Sequence, residues 1–464
     1  MTFLSTLFQI LNLLLMLHAL YFSLFGLWGL LRKIRIYDDA ETRKHFAVLI
    51  PARNEELVIG NLVKSIRMAD YPSDLIDTYV VINNTTDNTS AAAEAEGAKV
   101  IDCDVPVKTK AEVLRFAFEK LRDHSEIDTY VIFDADNVVD PAFFTEINKA
   151  HAAGFKSAQG KRTGKSLRST WVSNCYEIYY TMQNAFFNHP RNSAKLGAAI
   201  NGTGWTIDKS VMDANGFDMT TITEDQEFTI WCAMNDIKIA YCHDAIVYDE
   251  FTSNMLVSMK QRVRWSFGML QNLRKYVGPL LKQAFRGSWQ CFDMAMVTLL
   301  PVVVLVGLLT AALAYAFVDI PVSIPVFIVG LIVTSWIGAS IGALISVVKS
   351  GCSVKANIKG IIFFPIFIVT WAPILISCFF RRRLDWAPIK HDQVVSIEDR
   401  QKLRHEANSV QGRKAQYSKE DRIVSVDMPC YHARSCRVSD YYIHGSRDHK
   451  RGCRLLSGKR VQGF

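Results

Sequence analysis

Residues 46–55 read FAVLIPARNE. The five apolar residues at 46–50 carry no charge, end at Pro51, and are followed at once by Arg53, Asn54 and Glu55. An uncharged apolar run closed by a proline and a polar turn marks a short buried strand. The pattern recurs. Residues 78–82 run into Asn83, Asn84, Thr85, Thr86 and Asp87, and residues 129–133 run into Asp134, Ala135 and Asp136. Stretches of helical character lie between them, at 55–68, 89–95 and 110–121. Short buried strands alternating with helices predict a parallel sheet covered on both faces. In such sheets ligands bind beyond the carboxyl ends of the strands, where all three polar clusters fall.

On either side of this α/β domain the texture changes. Residues 1–31, 294–318, 320–348 and 360–380 contain no Asp, Glu, Lys or Arg. Each block is long enough to cross a hydrocarbon core of ~30 Å at ~1.5 Å per residue. The first block lacks the basic start and short apolar run of a secretory signal and reads as a retained membrane helix. Arg32, Lys33 and Arg35 follow it, which places that end in the cytosol. The expected organisation is a transmembrane helix (1–35), a cytosolic catalytic domain (43–250), amphipathic interfacial helices (251–290), a transmembrane region (291–380) and a disordered basic tail (381–464). Pro365 and Pro373 interrupt the last block, and three arginines follow it. That predicts a re-entrant hairpin with both ends cytosolic.

The net charge of +8 is concentrated in the tail, where residues 411–464 hold 12 Lys and Arg against five Asp and Glu, a balance of +7. A basic pI of this origin gives little reason to expect a nucleic-acid partner; it reads as a solvated tail, with attraction to anionic membrane lipid as the sharper alternative. The 10 cysteines include no Cys-x-x-Cys pair, a scatter that predicts reduced thiols. Cys430, His432, Cys436 and Cys453 fit no zinc spacing.

Three groups of residues carry chemistry. Asp134 and Asp136 leave a strand end two residues apart, so both carboxylates can reach one hard cation. Mg²⁺ takes oxygen ligands and is commonly shared between one or two carboxylates and substrate phosphates. Thr223-Glu224-Asp225 supplies separate carboxylates. A hydroxyl acceptor needs a base for its proton as the new bond forms. The triplet also reads as a helix start, with Thr223 as N-cap and Gln226 completing a capping box. In Gln261-Arg262-Val263-Arg264-Trp265, arginine suits phosphate oxygens and tryptophan the apolar face of a sugar. The same string reads as an amphipathic helix with two solvated arginines and an interfacial tryptophan.

In this order the motifs resemble those of family-2 glycosyltransferases, in particular the membrane-bound branch of cellulose, hyaluronan and poly-N-acetylglucosamine synthases. The resemblance covers residues 46–265, and Trp386 to His391 is similar to the end of such proteins. It implies an α/β GT-A, Rossmann-like domain between transmembrane helices, a UDP-sugar donor, Mg²⁺ or Mn²⁺, and inversion at the anomeric carbon. By the same resemblance Pro51, Ala52 and Glu55 border the nucleotide, and Asp134 and Asp136 hold metal and diphosphate. Asp225 is the base. Gln261, Arg264 and Trp265 bind diphosphate and acceptor, and Lys110 matches the second lysine of a Lys-Gly-Lys segment. Asn83 stands where the family has Asp, and Lys108-Thr109-Lys110 lacks the glycine. The leading expectation is elongation of a β-linked polysaccharide at the plasma membrane. Single transfer to a lipid is the alternative, and a dead nucleotide-binding subunit is a third reading.

Overall fold

The computed structural model describes residues 2–165, 170–317, 323–350, 352–382 and 384. A long apolar helix, α1 (Thr2–Leu31), precedes the first strand, β1 (Phe46–Ala52). Then come α2 (Ile59–Arg67), β2 (Ile76–Ile82), α3 (Thr89–Ala95), β3 (Lys99–Asp102), α4 (Lys110–Lys120) and β4 (Thr129–Ile132). The three expected strands and three helices are all present. Four more strands complete the sheet: β5 (Val138–Val139), β6 (Ser157–Gly164), β7 (Trp205–Asp208) and β8 (Ile239–Asp249). Among them lie α5 (Phe143–Ala152), α6 (Trp171–Met182), α7 (His189–Ser193), α8 (Lys209–Asn215) and α9 (Glu224–Met234).

The strands form one sheet in the order β3-β2-β1-β4-β7-β6-β8-β5. Its first half is parallel as expected. The second half corrects the expectation: β7 runs antiparallel to both β4 and β6, and β5 antiparallel to β8. The Gly202–Gly204 turn, with both glycines at positive φ, delivers β7 back along β4. Strand β1 is covered on both faces because its side chains alternate. Phe46, Val48 and Ile50 join one core with Phe143 and Phe144, while Ala47 and Leu49 join the other with Trp205 and Phe228. This two-sided burial is why β1 reads as a continuous apolar run.

Beyond the sheet, α10 (Met255–Phe285) is capped by Asn254, whose side chain accepts from the N–H groups of Leu256 and Val257. The helices α11 (Trp289–Thr298) and α12 (Leu300–Phe317) follow, bent by 49° at their junction. Then come α13 (Ile324–Lys349), α14 (Val354–Val369) and α15 (Trp371–Phe379). Among the described residues three stretches are long and apolar enough to cross a membrane, Ser5–Leu31, Ile328–Lys349 and Val354–Phe379, and the bent pair would make a fourth. The last stretch is not the expected hairpin. It breaks at Thr370 without reversing and runs as one 26-residue span candidate. Lys349 Nζ donates to the carbonyl of Leu30 at 2.9 Å, so α1 and α13 end side by side at the catalytic domain. Arg191, fully buried, pairs with Asp293 at 2.8 and 2.9 Å, and Tyr21 of α1 donates to the same carboxylate at 2.6 Å. The tail assignment and the Cys430 cluster lie outside the described residues. All seven described cysteines are free thiols.

Candidate active site

The polar clusters converge where the parallel strands end. Pro51 and Ala52 close β1, and Asn83 lies just past β2, its backbone N–H donating to the carbonyl of Ala52 at 3.2 Å. The Asn83 side chain is buried. It donates to the Cys103 carbonyl at 3.3 Å and accepts from Asn84 at 3.0 Å, so this uncharged residue is satisfied inside the fold. Glu55 is tied to the same edge through its N–H, which donates to Thr89 Oγ1 at 2.8 Å.

Lys110 opens α4. Thr109 is the N-cap, forming a capping box with Glu112, which accounts for a threonine where the resemblance expects glycine. Lys110 Nζ lies 2.5 Å from Asp134 Oδ1, 2.9 Å from the Gly202 carbonyl and 3.7 Å from Glu224 Oε1. Burial works against its charge, but Asp134 and Glu224 outweigh burial and hold the ammonium above the ordinary lysine range.

Asp134 follows β4, and its N–H donates to Thr203 Oγ1 at 3.1 Å. Asp136 accepts from Asn137 Nδ2 at 3.2 Å, which also donates to Asp249 at 2.8 Å. Asp225, the second residue of α9, comes from a helix that packs into the same core as α4. Gly202, at φ +83°, marks the meeting point. A Cβ there would lie 3.4 Å from an Arg162 guanidinium nitrogen, 3.7 Å from Asp225 Oδ2 and 3.9 Å from Asp134 Oδ2. Burial raises the pKa of Asp225, while Lys110 and Arg162 pull against the rise. Glu224 shifts up for the same first reason. A buried carboxylate of raised pKa is suited to accept a proton.

Thr223 precedes α9, but its side chain does not cap the helix, which corrects the capping-box reading. Its hydroxyl accepts instead from Asn272 of α10 at 3.2 Å. Glycine at 268 permits this contact, since a Cβ there would sit 2.4 Å from Thr223 Oγ1. Farther along α9, fully buried Glu227 accepts from the N–H groups of Thr220 and Thr221, from Lys275 at 2.7 Å and from Tyr276 at 2.7 Å. The α10 motif is thereby fixed beside the α9 carboxylates. Gln261 accepts from Tyr176 at 3.1 Å, and Arg264 and Trp265 are half-buried. Arg262, which sequence reasoning placed in solvent, is fully buried.

Two residues here escaped the sequence reading. Arg162, near the end of β6, donates to Asp249 at 2.8 Å and to the Asn201 carbonyl at 2.5 Å, with its guanidinium 4.4 Å from the Tyr180 ring. The only sequence signal was a polar, basic end to an otherwise buried strand. Asp249 ends β8 and gave none.

A divalent ion could be held here. Asp134 and Asp136 offer hard oxygens, and among the described residues no three His, Cys, Asp or Glu side chains form a closed cage. Two carboxylates with the remaining positions left to phosphate and water match Mg²⁺ or Mn²⁺ rather than a structural metal.

A mixed sheet with carboxylates and a half-buried lysine gathered past its parallel strands defines a GT-A nucleotide-sugar transferase. The model of "Glycosyltransferase like family 2" matches residues 43–268. A "Beta-monoglucosyldiacylglycerol synthase" of Nostoc is 23% identical over 261 residues, 54% of this chain and 54% of that protein. "Cellulose synthase 2" of Novacetimonas hansenii is 26% identical over 58% of this chain and 17% of its own length. "Protein RfbJ" of Shigella flexneri is 33% identical over 22% of this chain and 73% of its own. The mannosyltransferase PcManGT of Pyrobaculum calidifontis, solved with GDP-Man and Mn²⁺, shares the fold at 16% identity, TM-score 0.54, over 81% of this chain and 97% of that one. The chain belongs to glycosyltransferase family 2, and it spans about half the length of the glucosyldiacylglycerol synthase it matches.

Proposed function

We propose that this enzyme transfers a sugar, with inversion, from a UDP-sugar to the end of a growing β-linked glycan at the cytosolic membrane face. The observation that carries the reading is the convergence of Lys110, Asp134 and Asp225 on Gly202. The nucleotide lies over Pro51, Ala52, Glu55 and Asn83. Lys110 and Arg264 face the diphosphate. Asp134 and Asp136 would hold Mg²⁺ or Mn²⁺, which neutralises charge building on the leaving diphosphate. Asp225 takes the proton of the acceptor hydroxyl. The acceptor oxygen bonds to the anomeric carbon as the bond to the diphosphate oxygen breaks and its electron pair leaves with UDP. A single displacement of this kind inverts the configuration. Gln261 and Trp265 hold the acceptor, Trp265 offering an aromatic face to a sugar ring.

The likeness to a glucosyldiacylglycerol synthase, together with apolar helices beside the site, favours a second reading in which one sugar passes to a lipid hydroxyl. One experiment separates them. The purified protein is screened for UDP release from a panel of UDP-sugars with Mg²⁺ and with Mn²⁺, and the labelled product is sized. A polymer supports the first reading, a single-sugar lipid the second, and no UDP release from any donor defeats both.

A further inference from the structure

A cleft of about 620 Å³ lies away from the polar strand ends, where the last turns of α9 and α10 meet the start of α11. Asp225 is the second residue of α9, and Met234, which lines the cleft, is its last. The two are roughly 14 Å apart along the helix at ~1.5 Å per residue, so the cleft is separate from the candidate active site. Contacts with α1 set its height. Tyr21 donates to Asp293 at 2.6 Å, and His18 Nε2 lies 3.0 Å from the Met296 carbonyl, so α11 runs antiparallel to α1. Trp289 therefore starts the bent α11–α12 pair level with the last turns of α1, where that apolar helix gives way to Arg32 and Lys33. Trp289 is 73% exposed and the nearby Phe285 90%. Exposed aromatic side chains at the end of an apolar span belong at the height of lipid headgroups.

The cleft favours negative charge. Lys195 and Lys238 line it, both exposed and, among the described residues, without an ion-pair partner, while Asp236 is the one acid in the lining. Ser288, Trp289 and Gln290, the cap and first turn of α11, line it as well. The first N–H groups of a helix have no intrahelical acceptor and attract an anion. The carbonyl ends of the other two helices are already occupied. In α9 the Cys232 carbonyl accepts from Ile237 and that of Ala233 from Asp236, and in α10 the Gln283 carbonyl accepts from Ser288 and that of Ala284 from Gly287. Gln290 is buried, at 7% exposure, and its side-chain oxygen has no hydrogen-bond donor. An unpaired buried acceptor is costly in a native fold, and a hydroxyl of a ligand in the cleft would relieve it.

We propose that this cleft holds the headgroup of an anionic, hydroxyl-bearing phospholipid. Its phosphate lies between Lys195, Lys238 and the start of α11, and its acyl chains run past Trp289 and Phe285 into the bilayer. The inference rests on the membrane placement in the proposed function and is independent of which acceptor the enzyme uses.

The test is calorimetry on the full-length protein in neutral maltoside micelles, titrated with dihexanoyl phosphatidylglycerol, dihexanoyl phosphatidylcholine and inorganic phosphate. Phosphatidylglycerol should bind at least roughly tenfold more tightly than either of the others, and Lys195→Gln/Lys238→Gln should lose that advantage, the scale of two cation contacts. Lys195→Arg/Lys238→Arg keeps both charges and should bind as the wild type does. Lys355→Gln/Lys359→Gln removes the same charge from exposed positions of α14 and should change nothing. Equal affinity for the two lipids, phosphate bound as tightly as phosphatidylglycerol, equal losses in the two glutamine variants, or loss in the arginine variant overturns the proposal. UDP release from a UDP-sugar by the same preparation reports on the transferase reading separately, and its failure would defeat that reading without altering the lipid titration.

Discussion

Lys110 and Asp134 are joined at 2.5 Å across 24 residues of sequence, beside the Gly202 carbonyl to which the same ammonium donates. The ammonium neutralises part of an acidic cluster of Asp134, Glu224 and Asp225 that would otherwise repel a diphosphate. Lys110→Met keeps most of the stem and removes the charge. UDP affinity should fall by roughly tenfold or more, the scale of one charge-assisted hydrogen bond. Titration calorimetry with Mn²⁺ checks this, and an unchanged affinity would remove Lys110 from the donor site.

Asp136 should matter only through the metal. Asp136→Ala takes away one of the two proposed hard oxygen ligands, so UDP affinity should drop in Mn²⁺ buffer and become nearly the same with and without EDTA. Retained metal dependence in this variant would mean that the ion sits elsewhere.

Asp225→Asn preserves shape and cannot accept a proton. General-base catalysis contributes typically ~10²–10⁴-fold, so turnover should fall by that factor while UDP binding holds within about twofold. A variant retaining half the wild-type rate would assign the base to another group.

The pH profile carries the same assignment with a sign. Burial raises the folded pKa of Asp225. The base works only when ionised, so a raised pKa means that activity is lost sooner as pH falls. The acid limb of kcat/KM should therefore lie above the ordinary carboxylate range, and the residual rate of Asp225→Asn should lack that limb. A wild-type limb at the pH of an exposed aspartate would contradict the burial argument.

The strand ends that carry the proposed donor residues were legible in the sequence because their signals are local. Each parallel strand is an apolar run of five or so residues, and Asp134, Asn83 and Pro51 stand at strand ends. The acceptor half was less so. Strand β6 carries Lys161 and Arg162 toward the site, and that polarity hid its strand character, a case of function breaking a local pattern. Arg262 read as a solvated charge on an amphipathic helix. Its burial is set by a carbonyl 105 residues away, which no local periodicity reports. The expected hairpin differs for the same reason: at the break Arg262 of α10 donates to the Phe367 carbonyl and Thr370 Oγ1, and the chain runs on without reversing.

The contact between α10 and the catalytic loop gives a final test. Gly268 has no side chain, and a methyl group there would meet Thr223 at 2.4 Å from Oγ1, 2.6 Å from Cγ2 and 2.9 Å from Cβ. The nearest backbone neighbours of Thr223 are Glu224 and, one further on, Asp225. Thr223 is also held by Asn272 and cannot simply rotate away. Gly268→Ala must therefore push α10 from α9, moving the base relative to Trp265. Overpacking of this kind costs about 1–3 kcal/mol, and a misplacement near 1 Å can cost ~10²-fold in rate. Turnover should fall more steeply than the melting temperature suggests. Thr223→Ala removes both the hydroxyl and the γ-methyl, so the double variant Thr223→Ala/Gly268→Ala should recover part of the rate that Gly268→Ala loses. Residues in direct contact show such coupling, and distant ones do not. Strictly additive losses in the two single variants and the double would mean that α10 does not set the position of the base.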